Sequence, residues 1–451
     1  MKRREFLKSM GTPILAGLGG SSLLVGLNDS DAATSNDYKA LVCIFLAGGN
    51  DGHNTLIPTD GAYNDYSQSR PVLALPKESL ISLTGNSAGH TFALHPGLAP
   101  LASLYNRQRL SWIANIGPLI VPSTGQQVVD RAVPLPPFLM SHPDQTAMQQ
   151  GWGGDADQSG WAGRGLELFP SSLRNQLNAV TMTLDRTLVL GKNSQTSFMS
   201  ANGARWWGRA DLATPQSYWS QALNNMAQQQ FTNPYEKEYA RTFGTSVAEA
   251  TILTQVFLKA KSPSGNFAGD ELATNLKSLA SALPIFKSMG YRRQIFLIQW
   301  GSFDTHYGQR GGAARTQDAQ LDIVGKAVAA FDDSIVAAGM DTNVTTFMMS
   351  DFGRTLRPAS GEGSDHAWGN HWFVLGGAVA GGQVHGQFPS LVLGSADDGD
   401  PGRGGRHVPS TSTDQFGASL MQWMGLPASQ FNSVFPNLTN FTQKTINIFK
   451  T

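Results

Sequence analysis

The sequence predicts a doubly wound α/β fold with a mostly parallel central sheet. Short apolar runs of strand length recur along the chain, and they are continuous rather than alternating, as in parallel strands that are buried on both faces. Segments with helical periodicity lie between these runs. An alternation of strands and helices is typical of doubly wound sheets.

Six segments are predicted to be strands, and they span residues 39–49, 110–117, 179–185, 293–301, 344–351 and 371–377. The clearest helical patterns cover residues 95–108 and 319–339. From about residue 214 to 288 the chain has helical patterns and no obvious strand. We therefore predict a helical insertion over the sheet at about residues 190–290.

The N-terminus has the composition of an export signal. The charged start KRREFLKSM is followed by the Gly-rich apolar run GTPILAGLGGSSLLVGL and by small residues near Ala32 and Ala33. Arg3 and Arg4 resemble the paired arginines of the twin-arginine signal. We predict a signal peptide at residues 1–33 and a mature domain at 34–451 that has no membrane span and is periplasmic or secreted. The alternative is an apolar run that is retained as an anchor.

Charge limits the partners that the sequence predicts, and cysteine content indicates how the fold is stabilised. The 33 Lys+Arg residues balance the 33 Asp+Glu residues, and only 15% of the chain is charged. Because no basic block stands out, nucleic acid and acidic membrane surfaces are not expected as partners. The single cysteine, Cys43, lies in an apolar run, which predicts a buried thiol and a fold stabilised by burial rather than by disulfides.

Three predicted strands are each followed by an aspartate, namely Asp51, Asp304 and Asp351. Ligands of an open α/β sheet gather beyond the carboxyl ends of the strands, and carboxylates that meet there repel unless a cation lies among them. His306 and His366 would add imidazole ligands, and a mixed Asp/His set suits zinc, manganese or iron better than calcium. The alternatives are capping or turn aspartates and structural histidines.

Two further residues are candidates for catalysis. Ser141 precedes a short predicted helix that contains Pro143, so its hydroxyl would lie at a helix N-terminus, where N–H groups favour an alkoxide. A simple N-cap is the alternative role for this serine. Arg354 follows Asp351 and suits paired hydrogen bonds to an anionic oxygen; the alternative is an arginine that pins loops.

The triplet Asp-Phe-Gly at 351–353 also occurs in protein kinases. The chain has no His-Arg-Asp catalytic loop, no Val-Ala-Ile-Lys strand and no glycine-rich nucleotide loop before the triplet. The sequence therefore excludes a kinase.

Several stretches resemble an exported bacterial family called domain-of-unknown-function family 1501. They lie between about residues 40 and 380 and read GGNDGHNTLIP, LHPGLAPL, SGWAGRGL, DTH, SDFGRT and SDHAWGNHWFVLGG. The order of these residues also resembles the alkaline phosphatase/sulfatase superfamily. SHPDQTAMQQG is similar to the nucleophile segment of its nucleotide pyrophosphatase branch, and MMSDFG and DHAWGNHWFVLGG are similar to two of its metal-ligand segments.

The resemblance implies an alkaline phosphatase-like sheet and an exported hydrolase of phosphate or sulfate esters. The implied roles are nucleophile for Ser141, contact with the anionic substrate for Arg354, and ligands of one or two zinc or manganese ions for Asp51, Asp304, His306, Asp351 and His366. The substrate would be a small-molecule or polymer ester.

This chain departs from the superfamily pattern at two places. Phe352 occupies the position of a second ligand histidine, and His306 follows Asp304 at a shorter spacing than is usual. A single-ion site, or one completed by His53 or His371, is therefore an alternative. So are a hydrolase of carboxyl or glycan esters and an inactive exported protein that binds a protein partner. The aromatic stretch 205–219 is expected either to stack on sugars or to pack the helical insertion.

Overall fold

A computed structural model describes residues 37–151, 158–203, 214 and 216–450. The predicted signal peptide and most of the aromatic stretch 205–219 lie outside the described residues.

The described residues form a nine-stranded sheet and a small three-stranded sheet. The strands in chain order are β1 (Lys39–Leu46), β2 (Leu56–Pro58), β3 (Ile81–Ser82), β4 (Phe92–Leu94), β5 (Leu110–Gly117), β6 (Ala179–Thr181), β7 (Ser197–Phe198), β8 (Arg293–Trp300), β9 (Val344–Ser350), β10 (Asn370–Leu375), β11 (Val384–His385) and β12 (Thr411–Ser412). Each of the six predicted strands is present, although the one predicted at 179–185 ends at Thr181.

The large sheet has the order β11-β5-β10-β9-β1-β8-β6-β7, and β12 also pairs with β5. Strand β1 lies in the middle, pairs in parallel with β8 and β9, and is fully buried from Ala40 to Leu46. Only β10 runs antiparallel to its neighbours, β5 and β9. The predicted mostly parallel α/β fold is confirmed.

The direction of β10 follows from its connection to β9. Two parallel neighbours require a crossover that returns the chain to the opposite edge of the sheet, usually through a helix. Residues 351–369 contain no helix, so the chain stays at the carboxyl edge of β9 and enters β10 from there. This long connection carries several residues of the candidate site described below.

The helices cover both the sheet and its edge. In chain order they are α1 (Ala62–Ser69), α2 (Ala99–Asn106), α3 (Gly125–Val129), α4 (His142–Gln149), α5 (Trp161–Glu167), α6 (Tyr218–Ala227), α7 (Pro234–Lys259), α8 (Glu271–Ser288), α9 (Gln317–Ala337), α10 (Thr413–Met424) and α11 (Phe431–Val434). The two clearest helical patterns correspond to α2 and α9. The limits of the mature domain and of the insertion stay predictions.

The core lies between the large sheet and the helices that pack on it. Helices α8 and α9 bury apolar faces there, including Leu276, Leu283, Val324 and Phe331. Among the described residues, no helix has both the length and the apolar character that crossing a membrane requires.

A buried carboxyl in the first turn of α10 couples stability to pH. Burial raises the pKa of Asp414 to about 7, from an ordinary value of 3.8. Within the described residues its Oδ2 has no hydrogen-bond partner. Between these two pKa values the folded chain retains a proton that the unfolded chain has lost, so the free energy of unfolding falls as pH rises through this range.

We expect Asp414→Asn to remove this dependence, because the amide does not ionise. Relative to the wild type, the variant should gain on the order of 2 kcal/mol of unfolding free energy on going from pH 5 to pH 8. Urea unfolding at both pH values measures the gain, with Asp333→Asn, at an exposed position of α9, as the control. An equal difference from the wild type at both pH values would contradict the prediction.

Candidate metal centre

Three histidines direct their Nε2 atoms toward one carboxylate at the carboxyl edge of the sheet. Asp304 Oδ1 lies 3.0 Å from His306 Nε2, 3.2 Å from His366 Nε2 and 3.5 Å from His142 Nε2. The Nε2 atoms of His306 and His366 are 2.9 Å apart. One ligand atom from each of His142, Asp304 and His366 lies within 4.8 Å of the other two. We call these four side chains the His/Asp centre.

Three of these donor atoms, from His142, Asp304 and His366, are close enough together for one metal ion. Zinc binds histidine nitrogen and carboxylate oxygen at about 2.0–2.2 Å, which places the ligand atoms of a tetrahedron about 3.3 Å from one another. Within this group, Asp304 Oδ1 lies 3.2 Å from His366 Nε2 and 3.5 Å from His142 Nε2, close to that value. Three imidazoles and one carboxylate form a donor set that suits zinc, manganese or iron.

Each imidazole of the centre has a hydrogen-bond acceptor at its other nitrogen. These Nδ1 contacts are His142 to Asp351 Oδ2 at 2.7 Å, His306 to Asp365 Oδ1 at 2.9 Å, and His366 to the Met140 carbonyl at 2.8 Å. An Nδ1–H that donates to such an acceptor leaves the Nε2 lone pair free for a metal and fixes the orientation of the ring. With its Nδ1 protonated in this way, each ring would present its Nε2 lone pair to a metal ion.

The charges of two members of the centre, Asp304 and His366, suit a cation. Burial raises the pKa of Asp304, but the hydrogen bond and charge of Arg354 outweigh it and bring the pKa to about 2. The hydrogen bond to Asp351 raises the pKa of His142, whereas burial lowers the pKa of His366. Near neutral pH, Asp304 is therefore anionic and His366 is neutral.

Phe352 forms an apolar wall behind two of the imidazoles. Its buried ring lies 4.7 Å from the ring of His142 and 4.5 Å from the ring of His366, centroid to centroid. Phe352 occupies the position at which the superfamily resemblance implies a histidine ligand. Here its ring packs against the two imidazoles instead.

The guanidinium of Arg354 connects three loops through hydrogen bonds next to the centre. It is fully buried and donates to Asp304 Oδ1 at 2.5 Å. It also donates to backbone carbonyls, which belong to Gly48, Gly49, Phe303 and Ser364. These contacts match the alternative role, an arginine that pins loops. Contact between Arg354 and a substrate stays a prediction.

Local structure holds two of the three histidines, His142 and His306, in position. His142 is the first residue of α4, and Ser141 is its N-cap. His306 lies in a turn whose base is held by the buried amide of Gln309, which accepts hydrogen bonds from Thr305 and Ser364. The same amide donates to Asp51 Oδ2 at 2.6 Å.

The structure brings together three of the five predicted metal ligands, Asp304, His306 and His366. Asp351 lies one contact further out, where its carboxylate accepts from His142 Nδ1 and from the backbone N–H of Gly48. The roles that the sequence assigns to these residues stay predictions.

Asp51 and Ser141 lie outside the His/Asp centre. Asp51 forms a fully buried ion pair with Arg70 and also accepts from Gln309. The hydroxyl of Ser141 donates to Asp144 Oδ2. His53 and His371, the alternative ligands, are buried with their ring centroids 5.8 Å apart and are not members of the centre. A ligand role for Asp51 and a nucleophilic role for Ser141 stay predictions.

The sequence interpretation missed His142 and Asp365. Each is adjacent in sequence to a residue that was selected, since His142 follows Ser141 and Asp365 precedes His366. The sequence feature that could have identified them is that each is a polar residue next to a selected candidate. Spacing alone does not say which of two neighbours faces the site.

The fold and this centre define an α/β protein with a candidate metal site at the carboxyl edge of its sheet. The chain belongs to the family described as "Protein of unknown function (DUF1501)", whose model matches residues 38–399. The family that the sequence motifs indicate is thereby confirmed. A search of curated proteins finds no match.

Several solved structures are distantly similar. They include the lipoteichoic acid synthase LtaP from Listeria monocytogenes (8% identity over 90% of this chain and 76% of that one, TM-score 0.32). Ps i-CgsB, solved in complex with k-i-k-neocarrahexaose, matches at 10% identity over 89% and 77% of the two chains with a TM-score of 0.34. The phosphonate monoester hydrolase SpPMH from Silicibacter pomeroyi matches at 10% over 87% and 74%, with a TM-score of 0.29. At these scores the likeness carries no conclusion about activity.

We expect Arg354→Met to destabilise the protein strongly, because it leaves buried carbonyl groups without their donor. The loss should be about 3–5 kcal/mol of unfolding free energy, since four backbone carbonyls lose this donor and each buried group left unpaired costs about 1–3 kcal/mol. Urea unfolding measures it, with Arg241→Met, at an exposed helix position, as the control expected to cost under about 1 kcal/mol. A loss at Arg354 no larger than the control's would show that this guanidinium does not hold the loops.

Proposed function

We propose that the protein is a metal-dependent hydrolase of phosphate or sulfate esters, exported by the twin-arginine route, whose ion is held by the His/Asp centre. The observation that carries the proposal is the convergence of His142, His306, His366 and Asp304 on one point, with an acceptor behind each imidazole. Convergence on one point supports a single zinc or manganese ion rather than a pair.

The exposure of the ligands supports catalysis rather than a structural role for the ion. Their side chains are between 22% and 42% exposed, and Asp304 is the most exposed of the four. Structural metal sites are closed by four protein ligands, whereas catalytic sites keep a position open to substrate, as the three mutually close donors of His142, Asp304 and His366 would. A substrate from solvent can therefore reach this centre.

The residues around the centre have separate roles in the proposed reaction. When bound, the ion supplies Lewis-acid polarisation of an ester oxygen. Asp351, Asp365 and the Met140 carbonyl accept from the Nδ1–H groups and so orient the Nε2 atoms that would bind the ion, and Phe352 covers one face of two rings. This arrangement fixes where an anionic ester would lie.

Ser141 is the proposed nucleophile, since it directly precedes His142 and occupies the N-cap position of α4, where its hydroxyl makes no capping hydrogen bond. Its hydroxyl donates to Asp144 Oδ2, so this carboxylate is in position to take the hydroxyl proton as the serine oxygen bonds to phosphorus or sulfur; the ester P–O or S–O bond breaks, the alcohol leaves with that proton, and water then releases the phosphate or sulfate. The backbone N–H groups at the start of the helix would favour the anionic oxygen that results.

The second candidate is a catalytically inactive exported protein that keeps the fold and binds a partner. The observation that favours it is the buried Phe352, which removes one ligand of a two-ion site. The two candidates differ in whether an ester is turned over once the ion is bound.

We expect the purified chain to bind about one zinc or manganese ion, and Asp304→Ala to abolish this binding. Asp351→Asn should weaken it about 10- to 100-fold, because the acceptor behind His142 fixes the ligand's orientation. Elemental analysis and a competitive zinc titration measure both effects. His90→Gln, whose ring pairs with Asp60 outside the centre, is the matched control and should bind as the wild type does. A folded protein that stays metal-free in excess zinc and manganese would refute the proposed centre.

We expect Ser141→Ala to retain the metal and the fold but to lose ester hydrolysis by about 100-fold or more, because the attacking oxygen is removed. A screen of phosphate and sulfate monoesters with the metal-loaded protein measures the loss. Ser79→Ala, at an exposed 3-10 turn, serves as the control. If no ester is hydrolysed by a metal-loaded wild type, the partner-binding candidate is favoured. Unchanged hydrolysis in the variant would remove Ser141 from the mechanism.

A further inference from the structure

A buried amide joins the two segments that supply most of the His/Asp centre. Gln309 is fully buried, and its Oε1 accepts from the hydroxyl of Thr305 at 3.2 Å and from the hydroxyl of Ser364 at 2.5 Å. Thr305 belongs to the segment 304–306, and Ser364 begins the segment 364–366. One amide oxygen therefore bridges both segments. We call these three side chains the amide bridge.

The orientation of the Gln309 amide is fixed by the groups on its nitrogen side. Its Nε2 donates to Asp51 Oδ2 at 2.6 Å and to Gln317 Oε1 at 3.0 Å. A reversed amide would place its oxygen against the Asp51 carboxylate, and these two acceptors would have no proton between them. Asp51, whose charge is neutralised by Arg70, therefore holds the Gln309 oxygen toward the two hydroxyls.

The backbones of the two segments also meet directly. The Ser364 N–H donates to the Thr305 carbonyl at 3.0 Å. At Gly363 an added Cβ would stand 2.2 Å from the carbonyl carbon of His306, so this close approach requires a glycine. The amide bridge adds a side-chain connection between the same two residues, and its removal leaves the backbone contact in place.

The two segments present donor atoms to each other at short range. His366 Nε2 lies 3.2 Å from Asp304 Oδ1 and 2.9 Å from His306 Nε2, so a shift of one segment changes both separations. Zinc binds nitrogen and oxygen at about 2.0–2.2 Å in a tetrahedron, whereas manganese suits an octahedron of oxygen ligands, water among them. Zinc therefore depends more closely than manganese on where the protein holds these donors.

From these contacts we propose that the amide bridge positions the donors of the centre for zinc and thereby sets its preference for zinc over manganese. Gln309, Thr305 and Ser364 are positioning residues, because they act by holding the segments 304–306 and 364–366 at a fixed separation. The inference rests on the proposed function, since it takes the His/Asp centre as the place of the ion.

The experiment measures the dissociation constants of zinc and manganese for the full chain and three variants. Thr305→Val and Ser364→Ala each remove one bridging hydroxyl, and Gln309→Met removes the amide. We expect Gln309→Met to weaken zinc binding about 10- to 100-fold, as is typical of residues that hold metal ligands, and to weaken manganese binding less. Each hydroxyl variant should lower the preference for zinc by about 3- to 10-fold. If Gln309→Met does not fold, the hydroxyl variants decide.

Matched substitutions separate positioning from a general effect on folding. Thr305→Ser keeps the bridging hydroxyl and should retain the zinc preference. Thr345→Val and Ser278→Ala remove buried hydroxyls that have no hydrogen-bond partner among the described residues, and both should bind the two ions as the wild type does. The visible absorption of bound cobalt(II), which is stronger with four ligands than with six, should fall in the bridge variants and not in these controls.

Metal binding and ester turnover on the same samples separate the failure of this inference from that of the proposed function. Equal losses of zinc and manganese affinity in the bridge variants, or no loss, would overturn the positioning role and leave the hydrolase standing if the wild type turns over an ester. A Thr305→Ser protein that loses the preference as Thr305→Val does would also overturn it. A selective loss of zinc affinity, without hydrolysis by the wild type, would support the positioning role and refute the hydrolase. A folded wild type that binds neither ion would refute both.

Discussion

The candidate centre depends on the hydrogen bonds that the buried guanidinium of Arg354 donates. The loops that follow β1 and β8 come from distant parts of the chain, and their backbones meet where Gly48 lies against the N–H of Asp304. Arg354 satisfies carbonyls on both loops and holds the Asp304 carboxylate with the same group. A buried cation is tolerable only with such complete pairing, so the position of Asp304 and the packing of the loops are set together.

A second buried arginine explains why two aspartates at the carboxyl edge of the sheet have different roles. Arg70 neutralises Asp51, and the Gln309 amide donates to the same carboxylate. Asp304 keeps a large exposed fraction and faces three imidazoles. One aspartate thus stabilises the loop after β1, and the other is available to a cation. Their different surroundings, rather than their identical chemistry, separate these two roles.

The long connection between β9 and β10 combines structural and chemical roles. It contains Phe352, which packs the ligand rings, together with Asp365 and His366. Because it returns to the sheet without a crossover helix, the whole segment remains at the carboxyl edge, and β10 runs antiparallel. The reversal in the sheet therefore allows residues 351–366 to gather around one point.

The strands and the general position of the site follow from local sequence pattern. Continuous apolar runs are buried wherever they occur, and a polar residue that follows such a run lies at a sheet edge, so β1, β8, β9 and the grouping of Asp304, His306 and His366 were predictable. Local pattern did not reveal the direction of β10, the pairing of Asp51 with Arg70, or the entry of His142 into the centre. These outcomes depend on contacts between residues far apart in the chain, and local pattern carries no information about which partner a buried charge will meet.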